Sequence, residues 1–338
     1  MTTDTAVSAP AAATSGTAFA IEAHDLVKTY PKQVLALDGL SFAVPAGTVF
    51  ALLGPNGAGK STTVKILTTL AQADSGTAVV AGLDVRARPA QVRHLIGVVA
   101  QLSGADPVAT GRENVILSGR IQGLRGRDLT RRADDLLGRF GLADAAGRRV
   151  RTYSGGMRRR LDVATALVHR PAVLFLDEPT TGLDPEGRAD LWAVLTGLSA
   201  QTGATILVTT HYLDEADRFA AKVAITDRGR IVAEGTSDQL KARLQGDSVL
   251  LELGDAGQLE QARKALAQVP QVRETTADGT VVRARVADGP RALPAVLAGL
   301  EAGAVPVLSV TVARPSLDDV YRHYAGRSFG QAEGSAVA

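Results

Sequence analysis

The sequence predicts an α/β fold in which a mainly parallel sheet domain is followed by a smaller α+β domain. Three apolar runs have the length of strands and end in glycine or polar residues: Thr48–Gly54, Ala172–Pro179 and Ala204–His211. Stretches of helical periodicity separate them, which is typical of parallel strands buried on both faces of a sheet. After Gly246 the pattern changes to the order βαββαβ, which indicates a ferredoxin-like second domain.

Composition limits the class of protein. Of the 338 residues, 45% are hydrophobic and 21% are charged, so the chain can bury the core of one large and one small domain. The net charge of +2 gives no overall field that would attract nucleic acid. The absence of cysteine excludes disulfides and thiolate metal sites and fits a reducing cytosol. No apolar run approaches the ~20 residues that span a bilayer, so another chain would have to cross any membrane on which this protein acts.

Regular structure is expected to begin at Phe19, after a disordered N-terminal arm over residues 1–18. The arm has no basic n-region and carries Asp4, so a secretory signal is not expected. The first two strands, IEAHDLVKTY and LALDGLSFAV, flank a turn at Pro31 and Lys32.

The remaining boundaries follow from changes in pattern. The sheet domain is predicted over residues 19–246, with an arginine-rich helical subdomain inserted over about 102–165. In the second domain, 247–326, strand, helix, hairpin, helix and strand follow one another before a final helix near LDDVYRHYAG. Small polar residues predict a flexible tail over 327–338.

The stretch GPNGAGKS fits the pattern G-x-x-x-x-G-K-[ST] completely and lies between a predicted strand and a predicted helix. Glycines allow backbone N–H groups to approach phosphate oxygens closely, and the helix N-terminus adds partial positive charge. Lys60 would supply a charge to the β- and γ-phosphates, and Ser61 a hydroxyl ligand for Mg²⁺. We therefore expect a nucleotide to contact Gly54, Pro55, Asn56, Gly57, Ala58, Gly59, Lys60, Ser61 and Thr62.

Polar residues stand at the ends of three other predicted strands. Asp177 and Glu178 end one apolar run, His211 ends another, and Gln101 closes the run LIGVVAQ. Because the carboxyl ends of parallel strands meet at one edge, we expect these side chains near the glycine-rich loop. One carboxylate would hold hydrated Mg²⁺ and the second would polarise an attacking water.

Each of these residues also has a structural interpretation. The two acids can cap the turn at Pro179, and a histidine or glutamine that ends a strand can be an ordinary polar end. Tyr30 can be a half-buried strand aromatic or can stack on a purine. The nearness of the glycine-rich loop favours the functional interpretation of His211.

The stretch TYSGGMRRRLD begins at Thr152. Ser154 lacks the G-x-S-x-G pattern of a nucleophilic serine, so the glycines after it instead indicate close approach to phosphate at a helix N-terminus. The three arginines Arg158–Arg160 are interpreted as a solvated helix face, since no aromatic residues interleave with them as nucleic-acid binding would require. Asp184, taken alone, is typical of a turn or a helix N-cap.

Six motifs together resemble those of one family, the nucleotide-binding subunits of ATP-binding cassette (ABC) transporters, over about residues 19–246. They are GPNGAGKS (Walker A), GVVAQ (Q-loop), YSGGM (signature), LFLDEP (Walker B), TTGLDP (D-loop) and VTTH (switch histidine). The string from YSGGM to TTGLDP and the ending SLDDVYRHYAG resemble the daunorubicin-resistance type. The resemblance implies a P-loop NTPase domain of the ABC ATPase kind. Within the signature, Tyr153 and Met157 depart from the commonest form, LSGGQ.

The resemblance implies roles for the site residues. Lys60 would contact the phosphates, Glu178 would be the catalytic base and His211 would sense the γ-phosphate. Tyr30 would stack on adenine. The implied Mg²⁺ ligands are Ser61, Gln101 and Asp177.

Further implied contacts involve a second subunit. Ser154, Gly155 and Gly156 would cap the γ-phosphate of an ATP bound to the partner, and Asp184 would cross the same interface. The family also implies a homodimer docked on a separate integral-membrane permease at the cytoplasmic face of the cell membrane, exporting a drug, antibiotic or lipid-like substrate. No nucleic-acid partner is expected.

Two alternatives remain open from the sequence. A soluble ABC ATPase of translation would carry two cassettes, whereas this chain has one P-loop and one signature, and the stretch between them is too short for the coiled coil of a DNA-maintenance type. An ABC importer subunit is distinguished only by its gene neighbours.

Overall fold

Residues 19–244 and 246–334 are described in this computed structural model, and they form three sheets surrounded by helices. The expected arm over residues 1–18 lies outside the described residues. In chain order the strands are β1 Phe19–Tyr30, β2 Val34–Pro45, β3 Val49–Leu53, β4 Ser75–Val80, β5 Leu83–Asp84, β6 Ile96–Val99, β7 Val173–Asp177, β8 Thr205–Thr210, β9 Lys222–Asp227, β10 Arg230–Gly235, β11 Asp247–Leu253, β12 Val272–Asp278, β13 Val281–Val286 and β14 Val307–Ala313.

The helices are α1 Lys60–Leu67, α2 Pro89–Leu95, α3 Gly111–Ile121, α4 Gly126–Arg139, α5 Gly155–Ala166, α6 Pro185–Thr202, α7 Leu213–Phe219, α8 Ser237–Ala242, α9 Leu259–Ala267, α10 Gly289–Ala302, α11 Leu317–Ala325 and α12 Phe329–Gly334. The predicted turn at Pro31 and Lys32 is a short 3-10 turn, Pro31–Gln33, in which Lys32 has a φ of 66°.

The central sheet has the order β10-β9-β3-β8-β7-β6, and only the β10–β9 pair is antiparallel. Strands β3, β7 and β8 are buried along their whole length, which confirms the prediction of parallel strands covered on both faces. In register, Leu53 pairs with Thr210 and Asp177 with Thr209. The carboxyl ends of these three strands therefore lie at one edge of the sheet.

A second sheet, with the order β2-β1-β4-β5, is antiparallel and packs on α1. Helices α3, α4 and α5 occupy the stretch where the helical subdomain is expected. A capping box at Thr110 and Glu113 begins α3, since each side chain accepts a hydrogen bond from the other's backbone N–H. The helices share one apolar cluster with β7, to which Leu136, Leu161 and Leu174 belong.

Beyond Gly246 the order of elements is strand, helix, two strands, helix and strand, as predicted. The sheet order β12-β13-β11-β14 is antiparallel throughout, which is the ferredoxin-like arrangement. Apolar residues on the inner faces of these strands pack against α9 and α10.

The last two helices differ from expectation. Helix α11 packs on the first domain, where its Tyr321 joins a cluster with Leu53 and Ile225. The flexible tail expected over 327–338 is wrong for the described residues 327–334, which include α12. Phe329 is buried against the Tyr321 ring with centroids 4.9 Å apart, and burial of this aromatic surface holds the segment in place. Residues 335–338 lie outside the described residues.

Candidate active site

The glycine-rich loop joins β3 to α1 and is packed tightly against β9. A Cβ on Gly54 would lie 2.5 Å from the carbonyl oxygen of Thr226, so only glycine fits there. The hydroxyl of Thr226 donates to the carbonyl of Ala58 at 3.1 Å. Gly59 has a φ of 100° and provides no side-chain cap, so the first N–H groups of α1 remain available to an anion.

Lys60 is buried beside this loop. Its ammonium donates to the carbonyl oxygens of Gly54 at 2.7 Å and Pro55 at 3.1 Å, and only 4% of the residue is exposed. These contacts hold the charge at the mouth of the loop, where phosphate oxygens would lie in a nucleotide complex.

Asp177, at the end of β7, meets the first helical turn of α1. Its Oδ1 accepts hydrogen bonds from Ser61 at 3.1 Å and from Thr209 at 2.6 Å. A carboxylate beside a hydroxyl is a donor set suited to Mg²⁺, which uses one or two protein oxygens together with phosphate oxygens. No cluster of three or more acidic, histidine or cysteine residues suited to a metal occurs in the described part of the chain. The pair Ser61 and Asp177 fits Mg²⁺ that shares its remaining ligands with a nucleotide.

Glu178 has a strained backbone, with a φ of 47°, and its N–H donates to the hydroxyl of Thr209 at 2.9 Å. Its Oε1 lies 3.4 Å from Nδ1 of His211 and 3.2 Å from Nζ of Lys60. The contact with His211 is the main cause that lowers the pKa of Glu178 to about 2, and the Lys60 charge adds to it while burial opposes both. The carboxylate is therefore ionised at neutral pH.

The two other residues predicted for this site are Gln101 and Tyr30. Strand β6 ends at Val99, two residues before Gln101, which is exposed and makes no hydrogen bond to Ser61 or Asp177 within the described residues. Tyr30 is half-buried at the end of β1, with the Lys28 ammonium 5.7 Å from its ring centroid. The roles expected of Gln101 and Tyr30 stay predictions.

The signature lies on a separate surface. Ser154 caps α5 by accepting a hydrogen bond from the N–H of Met157 at 3.2 Å. Asp184 caps α6 in the same way through Gly187 at 3.1 Å. A cavity of about 430 Å³ is lined by Ser154, Gly155, Gly156 and Asp184 among others, and no residue of the glycine-rich loop lines it.

Met157, which replaces the glutamine of the commonest signature, is half-buried against the apolar cluster of the helical region. Its side chain therefore contributes apolar packing at this position.

The expectation that Arg158–Arg160 form a solvated face is wrong for Arg159. The residue is 7% exposed, and its guanidinium donates to the carbonyls of Pro179 at 2.8 Å, Ala100 at 2.5 Å and Asp177 at 3.0 Å. These contacts fasten α5 to the backbone on both sides of Glu178. The sequence contains a signal for this, because Arg159, Val163 and Ala166 share one helix face and the last two are apolar.

Comparisons with known proteins identify the family. The family model for "ABC transporter" matches residues 37–181, and that for "ATP-binding protein DrrA1-3-like, C-terminal domain" matches residues 235–325. The daunorubicin/doxorubicin resistance ATP-binding protein DrrA of Streptomyces peucetius is 45% identical over 308 residues, 91% of this chain and 92% of that protein. This chain belongs to the ABC transporter ATP-binding subunits. It is of the daunorubicin-resistance type.

Three further ABC proteins share less of their sequence with this chain. The linearmycin resistance ATP-binding protein LnrL of Bacillus subtilis is 33% identical, over 91% of this chain and 99% of that protein. Among solved structures, cbiO1 of Clostridium perfringens, part of the ABC transporter complex cbiONQ, has a TM-score of 0.61 at 27% identity, over 75% of this chain and 97% of that one. The cassette MJ0796, dimeric and bound to ADP and Pi, has a TM-score of 0.59 at 25% identity, over 64% of this chain and 98% of that one.

Membership of the ABC family establishes which reaction the chain catalyses. The chain binds ATP and hydrolyses it as the ATPase subunit of an ABC exporter, and its fold is the predicted P-loop NTPase domain followed by an α+β domain. Within the described residues, none of the helices has both the length and the apolar character needed to cross a bilayer.

Proposed function

We propose that this ATPase subunit energises efflux of a drug, antibiotic or lipid-like compound through a separate integral-membrane permease. The relatives support this substrate class, since their names include daunorubicin, doxorubicin and linearmycin resistance and, for a protein of Ralstonia nicotianae that is 38% identical, Nod factor export. The subunit would work as a homodimer on the cytoplasmic face of the cell membrane. A dimeric solved relative supports that assembly.

The observation that carries the mechanism is the contact of Glu178 with both Lys60 and His211. Glu178 would accept the proton of the water that attacks the γ-phosphate. Lys60 would move from the Glu178 carboxylate to the phosphates when ATP binds. Because the Lys60 charge is one cause of the low pKa of Glu178, its departure would make the carboxylate a stronger base. His211 would keep Glu178 oriented and contact the γ-phosphate.

Ser61 and Asp177 would hold Mg²⁺ with the phosphate oxygens, and Gln101 would reach it only if its segment moves. When bound, Mg²⁺ neutralises charge on the β- and γ-phosphate oxygens. Thr209 keeps the Asp177 carboxylate aimed at Ser61 through its 2.6 Å hydrogen bond. Tyr30 would stack on the adenine ring, and the Gly54–Thr62 segment would surround the phosphates.

The second half of each site would come from the partner subunit. Ser154, Gly155 and Gly156 would cap the γ-phosphate held by the other subunit's loop, with Asp184 at the same interface. The cavity lined by these residues supports this assignment, because it lies apart from the glycine-rich loop of its own chain. ATP would then join two subunits, and hydrolysis would release them.

A groove beside the Q-loop supports docking of the permease. The groove encloses about 480 Å³ between the sheet domain and α3, and five of the residues that line it are exposed and apolar: Leu70, Val98, Leu102, Leu117 and Ile121. Exposed apolar side chains gathered in one groove are typical of a protein interface. We assign it to a helix of the permease.

The test of this mechanism is the substitution Glu178→Gln. It should leave ATP binding intact, trap an ATP-bound dimer and lower the hydrolysis rate by about 10²–10⁴-fold. The matched control, Glu301→Gln, changes an exposed glutamate on α10 of the second domain, which does not line the cavity of the signature, and it should hydrolyse ATP normally. Normal hydrolysis by Glu178→Gln would show that Glu178 is not the base.

Two further measurements test the contact of Ser154 with the partner's nucleotide and the role in transport. Ser154→Arg should abolish hydrolysis with little change in the ATP affinity of the monomer, and a large loss of that affinity would place Ser154 elsewhere. Co-purification with the permease encoded beside this gene, followed by drug-stimulated ATPase assays, tests efflux. No co-purification, or no stimulation by any drug, would argue against it.

A further inference from the structure

Glu215 is a buried acid that the mechanism above does not use. It lies on α7, one helical turn after His211, and only 3% of the residue is exposed. Burial raises the pKa of Glu215, while the hydrogen bond from Thr180 opposes that effect. The pKa shifts of the two buried glutamates Glu178 and Glu215 therefore have opposite directions, since the pKa of Glu178 is lowered.

The carboxyl group of Glu215 joins two segments of the site. Its Oε2 accepts hydrogen bonds from the hydroxyl of Thr180 at 2.8 Å and from that of Thr210 at 3.4 Å. Thr180 lies two residues after Glu178, and Thr210 lies immediately before His211. All of these hydrogen-bonding groups are buried, so water does not compete for them.

The backbone of Thr210 extends the connection to the glycine-rich loop. Its carbonyl accepts a hydrogen bond from the N–H of Gly54 at 3.2 Å, and its hydroxyl accepts one from the N–H of Tyr212 at 2.9 Å. Thr210 is thus held from three sides, and Glu215 is the contact that ties it to the segment of Glu178.

Arg188 makes a parallel connection nearer the proposed subunit interface. Its Nε donates to the carbonyl of Leu183 in the D-loop at 3.0 Å. Its guanidinium lies 4.1 Å from the ring centroid of Tyr212, the neighbour of His211, and donates to the Tyr212 hydroxyl at 3.3 Å. The segment from Thr180 to Asp184 is therefore bonded to the segment from Thr210 to Tyr212 at two points.

We propose that Glu215 is a positioning residue for hydrolysis, which holds the switch segment Thr210–Tyr212 against the segment Glu178–Thr180 so that His211 stays in contact with Glu178. In this role Glu215 would act through His211 and Glu178 and would not contact the nucleotide. A displacement of the D-loop when the second subunit docks would pass through these hydrogen bonds to His211. The proposal rests on the roles proposed for Glu178 and His211.

The test compares three substitutions in the full chain. Glu215→Leu removes the acceptor at similar volume and should lower kcat for ATP at least 10-fold, with Kd for ATP unchanged within 3-fold. Glu215→Gln keeps an acceptor oxygen for Thr180 and should retain at least a third of wild-type kcat. Thr180→Val removes only the donor hydroxyl and should lower kcat 3- to 10-fold.

A double substitution distinguishes positioning from a general loss of packing. Thr180→Val combined with Glu215→Leu should lower kcat no further than Glu215→Leu alone, because both remove the same contact. Asp214→Asn, on the exposed side of the same helix, is the matched control and should behave as wild type.

Three outcomes would overturn the proposal: wild-type kcat in Glu215→Leu, equal loss in the Gln and Leu variants, or multiplicative losses in the double variant. If Glu215→Leu fails to fold, Thr180→Val and Glu215→Gln still decide the question. The proposed function is tested separately by wild-type hydrolysis and by Glu178→Gln. If the wild-type protein has no ATPase activity, the proposed function is wrong. If Glu215→Leu has the kcat of wild type, only the positioning role is wrong.

Discussion

Replacing Arg159 with lysine keeps the positive charge but removes the planar guanidinium. In the structure that guanidinium donates three hydrogen bonds, one from each nitrogen, to the carbonyls of Ala100, Asp177 and Pro179. Asp177 and Pro179 flank Glu178, whereas Ala100 follows β6, so the guanidinium joins two segments by its planar shape as much as by its charge.

The size of the effect follows from these contacts. A lysine ammonium is a point donor on a shorter chain and can reach one of the three carbonyls well. Two hydrogen bonds from a buried charged donor are then lost, each with a net contribution of about 1.5–3 kcal/mol. We expect Arg159→Lys to lower the free energy of unfolding by about 3–6 kcal/mol.

Urea unfolding followed by tryptophan fluorescence measures this change. Trp192 is the single tryptophan of the chain, it is fully buried, and it belongs to the same apolar cluster as Leu161 of α5 and Leu174 of β7. Its emission therefore reports on the region that Arg159 holds together. The urea midpoint should fall while the slope of the transition stays constant.

Arg158→Lys provides the control, since Arg158 is the exposed neighbour on the same helix and its substitution should change stability by less than about 0.5 kcal/mol. If Arg159→Lys is as stable as Arg158→Lys, the three hydrogen bonds do not stabilise the site and the reasoning is refuted.

Two other predictions concern the carboxylate of the site and the end of the chain. The pKa of Glu178 is lowered from 4.5 to about 2. The ionised carboxylate therefore stabilises the fold above pH 4.5, and this stabilisation is lost as the pH falls toward 2. The stabilisation is at most about 3 kcal/mol, because the site opens to solvent. Urea titrations between pH 2 and 6 should show that the free energy of unfolding falls more steeply with decreasing pH in wild type than in Glu178→Gln. Parallel dependence on pH in the two proteins would contradict this. Phe329→Ala should lower the free energy of unfolding by about 3 kcal/mol, because the ring is buried against Tyr321. An unchanged urea midpoint would mean that α12 does not pack in solution.

Much of the fold follows from patterns that are local in sequence. Continuous apolar runs predicted β3, β7 and β8 as buried parallel strands, and the alternation after Gly246 predicted the βαββαβ order of the second domain. Both predictions were right because the period of hydrophobic residues reflects which faces of each element are covered. The end of the chain was predicted wrongly, because the residues around Phe329 are small and polar and give no pattern of a buried helix. Phe329 is buried only because it packs against Tyr321, which belongs to another helix.

For the site, the sequence predicts the chemical groups and the edge of the sheet where they meet. The spacing in GPNGAGKS and the position of Asp177, Glu178 and His211 at strand ends are sufficient for that, because parallel strands bring their carboxyl ends together. Three features could be seen only in the folded structure. Glu178 contacts Lys60 and His211, and Arg159 is buried among three carbonyls. Glu215 joins Thr180 to Thr210. These contacts link residues that are distant along the chain, and their distances and burial depend on how several elements pack at once.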